Sequence, residues 1–226
     1  MAVACGRGGD RGQAFPVYVA VIAGLLFLAF VYFVVGQAAS TRNGAQTAAD
    51  AAALAAAQDA REQLRTGWLG VIADPQQWDD FLQGRDYDSL SACRSAAVFA
   101  ARNDAEVVDD GCGQLDSGRE GFSVRVRTTR SVGRSIIPGT EAQHATASAN
   151  ALIEPKCTFT EPEESEPEES QSPDPDPTSP AEEPDEQDEP ILGLTCDGEP
   201  WIIDPRDPKL PSAADLFTVR LAGDDE

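Results

Sequence analysis

Basic residues are scarce in this chain: 17 Lys and Arg stand against 39 Asp and Glu, for a formal net charge of −22. A protein that neutralises phosphates needs a cationic face, so nucleic-acid binding is excluded as a leading role. Attraction of the folded part to an anionic membrane surface is disfavoured for the same reason. Histidine occurs once, at His144, and no CxxC pair or Cys/His spacing suits zinc. The acidic stretches lack the spacing and central glycine of an EF-hand loop. No GxSxG, HExxH, P-loop or glycine-rich dinucleotide turn is present. The carboxylate pairs Asp79-Asp80 and Asp109-Asp110 are neighbours in sequence and read as turn or cap residues rather than an acid/base couple. The sequence therefore predicts no catalytic residues, no metal ligands, no cofactor and no small-molecule substrate.

What the chain does have is one uninterrupted apolar run, residues 14–36 (AFPVYVAVIAGLLFLAFVYFVVG), without a charged residue. A hydrocarbon core of about 30 Å needs roughly 20 apolar residues at 1.5 Å each, so the run is long enough to span a bilayer. Backbone groups in lipid must bond within their own segment, which demands helix. Pro16 sits near the start, where a missing N–H is tolerated. An alanine-rich segment follows at 37–66 and has the best helix-forming composition available. Gly44 interrupts it. One helix is expected from Ala14 to about Arg65, roughly 75 Å long if continuous, with Gly67 and Gly70 breaking the pattern.

Cys5 precedes the apolar run; Cys93, Cys112, Cys157 and Cys196 follow it. Four cysteines on one side of a span, in a domain with a small core, suggest two disulfides in an oxidising compartment, against buried reduced thiols as the alternative. Three pairings are open. Cys93–Cys112 with Cys157–Cys196 is favoured because neighbours along the chain close first. Arg7 and Arg11 precede the run, while Arg42 is the basic residue close on the far side. The expected topology is single-pass, with a cytoplasmic N terminus and an extracellular C-terminal domain. A secretory signal cut near Gly36-Gln37-Ala38 is the rival, but the run exceeds an h-region of about 7–15 residues.

Beyond the long helix, Asp74-Pro75 starts a short helical turn over 76–83, with Trp68, Trp78 and Phe81 as core anchors. Residues 89–103 carry helical spacing at Leu90, Cys93, Ala97, Val98 and Ala101. A strand fits 105–109, closed by Asp110-Gly111. Residues 121–132 alternate with Phe122, Val124, Val126 and Thr128 on one face and Arg125 and Arg127 on the other. A turn follows at 136–139. Residues 143–153 alternate again, with Ala145, Ala147, Ala149 and Ala151 on one face, small enough for the long helix to lie close. Short strand-like pieces at 191–196 and 216–221 flank a Pro-rich loop holding Trp201, Ile202 and Ile203.

Residues 160–190 contain fourteen carboxylates and no Lys or Arg, a composition expected to be disordered and extended. The fold class expected is α+β: a long transmembrane and juxtamembrane helix, shorter helices and a small antiparallel sheet. The organisation expected is a cytoplasmic leader 1–13, transmembrane helix 14–36, juxtamembrane helix 37–66, disulfide-containing ectodomain 67–159, acidic linker 160–190 and C-terminal segment 191–226.

Arg11-Gly12, the apolar span, and the block Gln46-Thr47-Ala48-Ala49-Asp50-Ala51-Ala52-Ala53-Leu54 that continues to Ala57 together resemble the TadE/TadG-like proteins of tight-adherence (Flp) pilus assembly, in particular actinobacterial TadG-related membrane proteins. The resemblance covers residues 10 to about 58. It implies a non-catalytic, pseudopilin-like membrane component that meets other pilus or secretion subunits through its N-terminal helix. Processed pilins of such systems place a glutamate five residues after the cut glycine; here that residue is Val17, which points to an uncleaved chain. A membrane-tethered binding module, with the acidic segment as spacer, is the alternative function.

Overall fold

A computed structural model of the protein describes residues 14–115, 118–131, 142–161, 190–204 and 209–223. Residues 1–13 with Arg11 and Gly12, read from sequence as a leader, residues 136–139, read as a turn, and nearly all of the acidic segment lie outside the described residues.

The architecture is α+β. Helix α1 runs without a break from Ala14 to Gly70, 57 residues and about 85 Å. It outlasts the sequence expectation because Gly67 does not end it. Gly67 stays helical with the Phe81 ring lying on its backbone, where a methyl group would collide. A 3-10 turn at Pro75–Gln77 leads into the short α2, Trp78–Leu82. Helix α3, Ser89–Arg102, is capped by Asp88, whose side chain accepts the Leu90 amide, satisfying one of the orphan N–H groups of its first turn. The contacts of α3 with α1 run in reverse order, Asp88 near Gln63 and Ser95 near Asp59, so the two helices are antiparallel.

The main sheet has four antiparallel strands in the order β1-β2-β3-β7: β1 Ala105–Gln114, β2 Gly121–Thr128, β3 Thr146–Pro155 and β7 Phe217–Leu221. Phe122, Val124 and Val126 of β2 pair directly with Ala151, Ala149 and Ala147 of β3. Large side chains thus fill the β2 row, and alanines leave a shallow β3 row against which α1 packs. The β2 alternation read from sequence is correct, and Phe122, Val124, Val126 and Thr128 are all buried.

Two local readings are corrected. Strand β1 does not close at Asp110-Gly111. It passes through a register shift between Val107 and Cys112, with Asp110 at φ 54°, because a bulge absorbs the extra residues and lets pairing resume. Trp201, Ile202 and Ile203 lie in a strand rather than a loop: β6, Glu199–Ile203, pairs with β5, Ile191–Cys196. Asp197 and Gly198 between them both have positive φ, 52° and 84°, which is the tight hairpin turn that twisted strands prefer. β5 in turn pairs with β4, Cys157–Phe159, making a second, three-stranded sheet.

Helix α3 forms over the residues whose spacing predicted it. Its buried face is Ala92, Ala96 and Ala100, while Leu90, Ala97, Val98 and Ala101 are exposed. Alanines win the interface because only small side chains let two helix axes approach closely over several turns.

Candidate functional site

Helix α1 carries two environments. From Phe15 to Val35 its bulky side chains are exposed, Phe27 by 65% and Tyr32 by 84%. From Ala45 the situation reverses. Ala45, Ala48, Ala49, Ala52, Ala53, Ala56, Ala57 and Ala60 are fully buried, followed by Leu64 and Trp68. Steps of three and four residues put these side chains along one broad helix face. That face is covered by α3 on one side and by β2, β3 and β7 on the other. The C-terminal half of α1 is therefore the central element of the folded core.

The alanine block contains few polar residues, and those in contact with other elements act as clamps. Gln46 Nε2 donates to Asp50 Oδ1 at 2.8 Å, one turn along, and to the Ser148 carbonyl of β3 at 3.3 Å. Asp59 accepts from Gln63 at 2.6 Å and from the Ser95 hydroxyl of α3 at 2.7 Å. Gln63 Oε1 accepts the Asp88 amide at 2.8 Å, and Arg65 Nε donates to the Pro211 carbonyl at 2.8 Å. Sequence reading missed these clamps. The signal was present in the i, i+4 spacing of Gln46 with Asp50 and of Asp59 with Gln63, on an otherwise alanine surface.

Of the block residues singled out from sequence, Ala49 and Ala52 are fully buried, Ala51, Leu54 and Asp50 are half-buried, and Gln46 is exposed at the sheet edge. A hollow of about 350 Å³ opens there, lined by Gln46, Asp50, Ser148, Asn150 and Gly223 among others. The block therefore joins helix to sheet; its chemistry is packing and hydrogen bonding.

Two disulfides brace the domain. Cys93–Cys112 ties α3 to β1 with Cα atoms 5.8 Å apart. Cys157–Cys196 links directly opposed residues of β4 and β5 with Cα atoms 4.0 Å apart. Near the far end of α1, Trp68, Trp78 and Phe159 stack edge-on, with ring centroids 5.3 and 4.9 Å apart, joining the helical layer to the second sheet. Beside this stack a cleft of about 730 Å³ is lined by Asp74, Asp79, Leu82, Phe159, Glu161 and Leu192 among others. Asp79 is ion-paired to Arg85 at 3.1 Å, and the carboxylates beside Arg85 raise its pKa further. Tyr87, half-buried with its hydroxyl 3.4 Å from Glu120, has its pKa pushed up, chiefly by burial. Among the described residues no group of three or more His, Cys, Asp or Glu side chains is arranged to hold a metal ion.

This geometry defines a class: an α+β domain built around the continuation of an apolar N-terminal helix that is a candidate membrane span by length and composition. The family comparison is specific about the same region. Residues 12–59 match the family model described as "Putative Flp pilus-assembly TadE/G-like", about a fifth of the chain. The matched segment takes in the exposed apolar stretch and most of the buried alanine face, and it ties this part of the chain to Flp/Tad pilus assembly. No curated protein and no solved structure matches the chain.

Proposed function

We propose that the protein is a membrane-anchored, pseudopilin-like component of a Tad/Flp-type pilus assembly or secretion apparatus, with a structural rather than catalytic role. The observation that carries this reading is the continuity of α1. A bilayer-length apolar segment passes without a break into the helix that forms the core of the folded domain, and the TadE/G-like match spans that junction. In this reading residues 14–36 cross the membrane once, the N terminus lies in the cytoplasm, and the disulfide-braced domain lies outside. Partner subunits meet the exposed apolar half of α1, where backbone satisfaction leaves side-chain packing as the available interaction in lipid. The continuous helix then carries movement or register of the span directly to the domain.

Deletion of the gene should reduce surface fibres, and replacement of 14–36 by an unrelated span of equal length should fail to restore them although the protein still reaches the membrane. Normal piliation in the deletion strain would contradict the proposal. A second reading, a tethered binding module, draws on the 730 Å³ cleft beside Leu82 and Phe159. It predicts the opposite result from the helix replacement, full function with a foreign span.

A further inference from the structure

The end of the β2–β3 pair nearest the apolar half of α1 is tied together by hydrogen bonds around Thr128. The Thr128 amide donates to the Ala145 carbonyl at 2.9 Å, and the Ala145 amide donates to the Thr128 hydroxyl at 3.1 Å. His144 Nδ1 donates to the Thr128 carbonyl at 2.6 Å. Between this end and α1 lies a hollow of about 320 Å³, lined by Thr41, Arg42, Gln143 and His144 among others. No carboxylate is among its described lining residues. Arg42 is the only charged residue in 14–49. It is exposed, as is Gln143, and neither has a hydrogen-bond or ion-pair partner among the described residues. The arginines nearby are already matched, Arg127 by Glu106 and Arg130 by Asp104. The hollow thus presents one unmatched cation and a free amide.

We propose that this hollow binds the phosphate of an anionic lipid headgroup. Depth selects the occupant. With residues 14–36 crossing the bilayer, the reading on which this inference rests, Arg42 stands about 9 Å beyond the hydrocarbon boundary. The headgroup layer occupies about 5–8 Å of each leaflet, and the long arginine stem bridges the remaining gap. The unbroken helix that enters the bilayer therefore carries the hollow to the level of lipid phosphates. There the guanidinium fork matches two phosphate oxygens at once, and Gln143 supplies a further N–H donor. The chain's net charge of −22 acts elsewhere. Exposed charges more than about 10 Å apart are largely screened at physiological ionic strength. The acidic segment joins the described fold at Glu161 and Ile191, beside Asp74, roughly 40 Å further along the axis of α1. The bonds around Thr128 hold the hollow in shape before a lipid arrives, so little ordering cost remains.

Native mass spectrometry of the full chain in neutral detergent tests this, with phosphatidylglycerol, diacylglycerol of the same acyl chains and inorganic phosphate as probes. The chain should retain a single phosphatidylglycerol about fivefold more tightly than diacylglycerol, the effect of one surface cation on an anionic lipid. Inorganic phosphate, which has no acyl chains to hold it at this depth, should not be retained. Arg42→Gln should remove the preference, and Arg42→Lys, which keeps the charge, should retain most of it. Arg102→Gln, at the end of α3, should leave it unchanged. All three variants should keep the parent melting temperature, because Arg42 and Arg102 are exposed. Equal retention of the two lipids, a preference that survives Arg42→Gln, or an equal loss in Arg102→Gln would overturn the proposal. Retention of inorganic phosphate as tightly as the lipid would overturn the lipid assignment. Alkaline extraction of membranes separates this inference from the reading beneath it. A chain released into the wash loses the span and the site together, whereas a chain that stays in the membrane without headgroup preference loses the site alone.

Discussion

Val31, Phe33 and Val35 stand in the same unbroken helix as Ala49, Ala52 and Ala56, yet the first three are exposed and the second three are fully buried. Among the described residues the bulky half has no protein neighbour to fit, and as a candidate membrane span by length and composition it would meet lipid, which adapts to whatever side chains it surrounds. The alanine half must fit between α3 and the sheet, where every added methylene pushes two layers apart. Side-chain volume along one helix therefore records what surrounds it: bulk where the solvent is fluid, alanine where the neighbours are fixed.

The largest effect that bears on this contrast is covalent. Replacing Cys157 and Cys196 by serine should lower the unfolding free energy by about 3–4 kcal/mol, since the bridge closes a long loop, and chemical denaturation of the domain measures it. If the loss is much smaller, the alanine spine holds the domain with little help from this crosslink. The contrast itself is broken most directly by Ala52→Leu. Overpacking a fully buried position should cost about 1–3 kcal/mol, whereas Leu26→Ala in the exposed half should leave the domain's stability unchanged; thermal unfolding followed by near-ultraviolet circular dichroism compares the two. Gly67→Ala should also destabilise, by about 1–3 kcal/mol, because it displaces Phe81 from the helix backbone.

Gly44 sits at the junction of the two halves, helical and with open space around its Cα. Gly44→Ala should therefore stabilise, by about 0.5–1 kcal/mol, if the helix is continuous there. The smallest effect concerns Asp215, which accepts the Ser212 hydroxyl and amide in the capping box of the short helix α4, Ala213–Leu216. These hydrogen bonds hold its pKa below the ordinary 3.8. Folding is thus favoured while Asp215 is ionised, above its ordinary value, and that contribution is lost as pH falls through the depressed folded value. Water around the exposed carboxylate keeps the change small. Ser212→Ala should flatten this part of the stability profile below pH 4.

Much of this arrangement was legible. The strict alternation of Phe122, Val124 and Val126, and of Ala147, Ala149 and Ala151, identified two strands, and their small and large residues implied a helix lying over the alanines. The orientation of α3 was not legible, because two sides of that helix satisfy the same periodicity. The choice between them belongs to interhelical distance, a tertiary quantity, and it favoured alanine over leucine and valine. The β5–β6 hairpin had a readable marker in Asp197-Gly198, but the flanking prolines suggested a loop more strongly. At the candidate site the apolar and alanine segments were plain, whereas the clamps from Gln46, Asp59 and Gln63 required knowing which elements face them.

Hydrogen exchange on the full chain in a lipid nanodisc tests the central claim most directly. The account predicts that amides 45–68 of α1 exchange only with global unfolding of the domain, in step with those of β2 and β3. Rapid exchange across 45–68 while β2 and β3 stay protected would contradict it, because the alanine spine would then be an appendage and not the core.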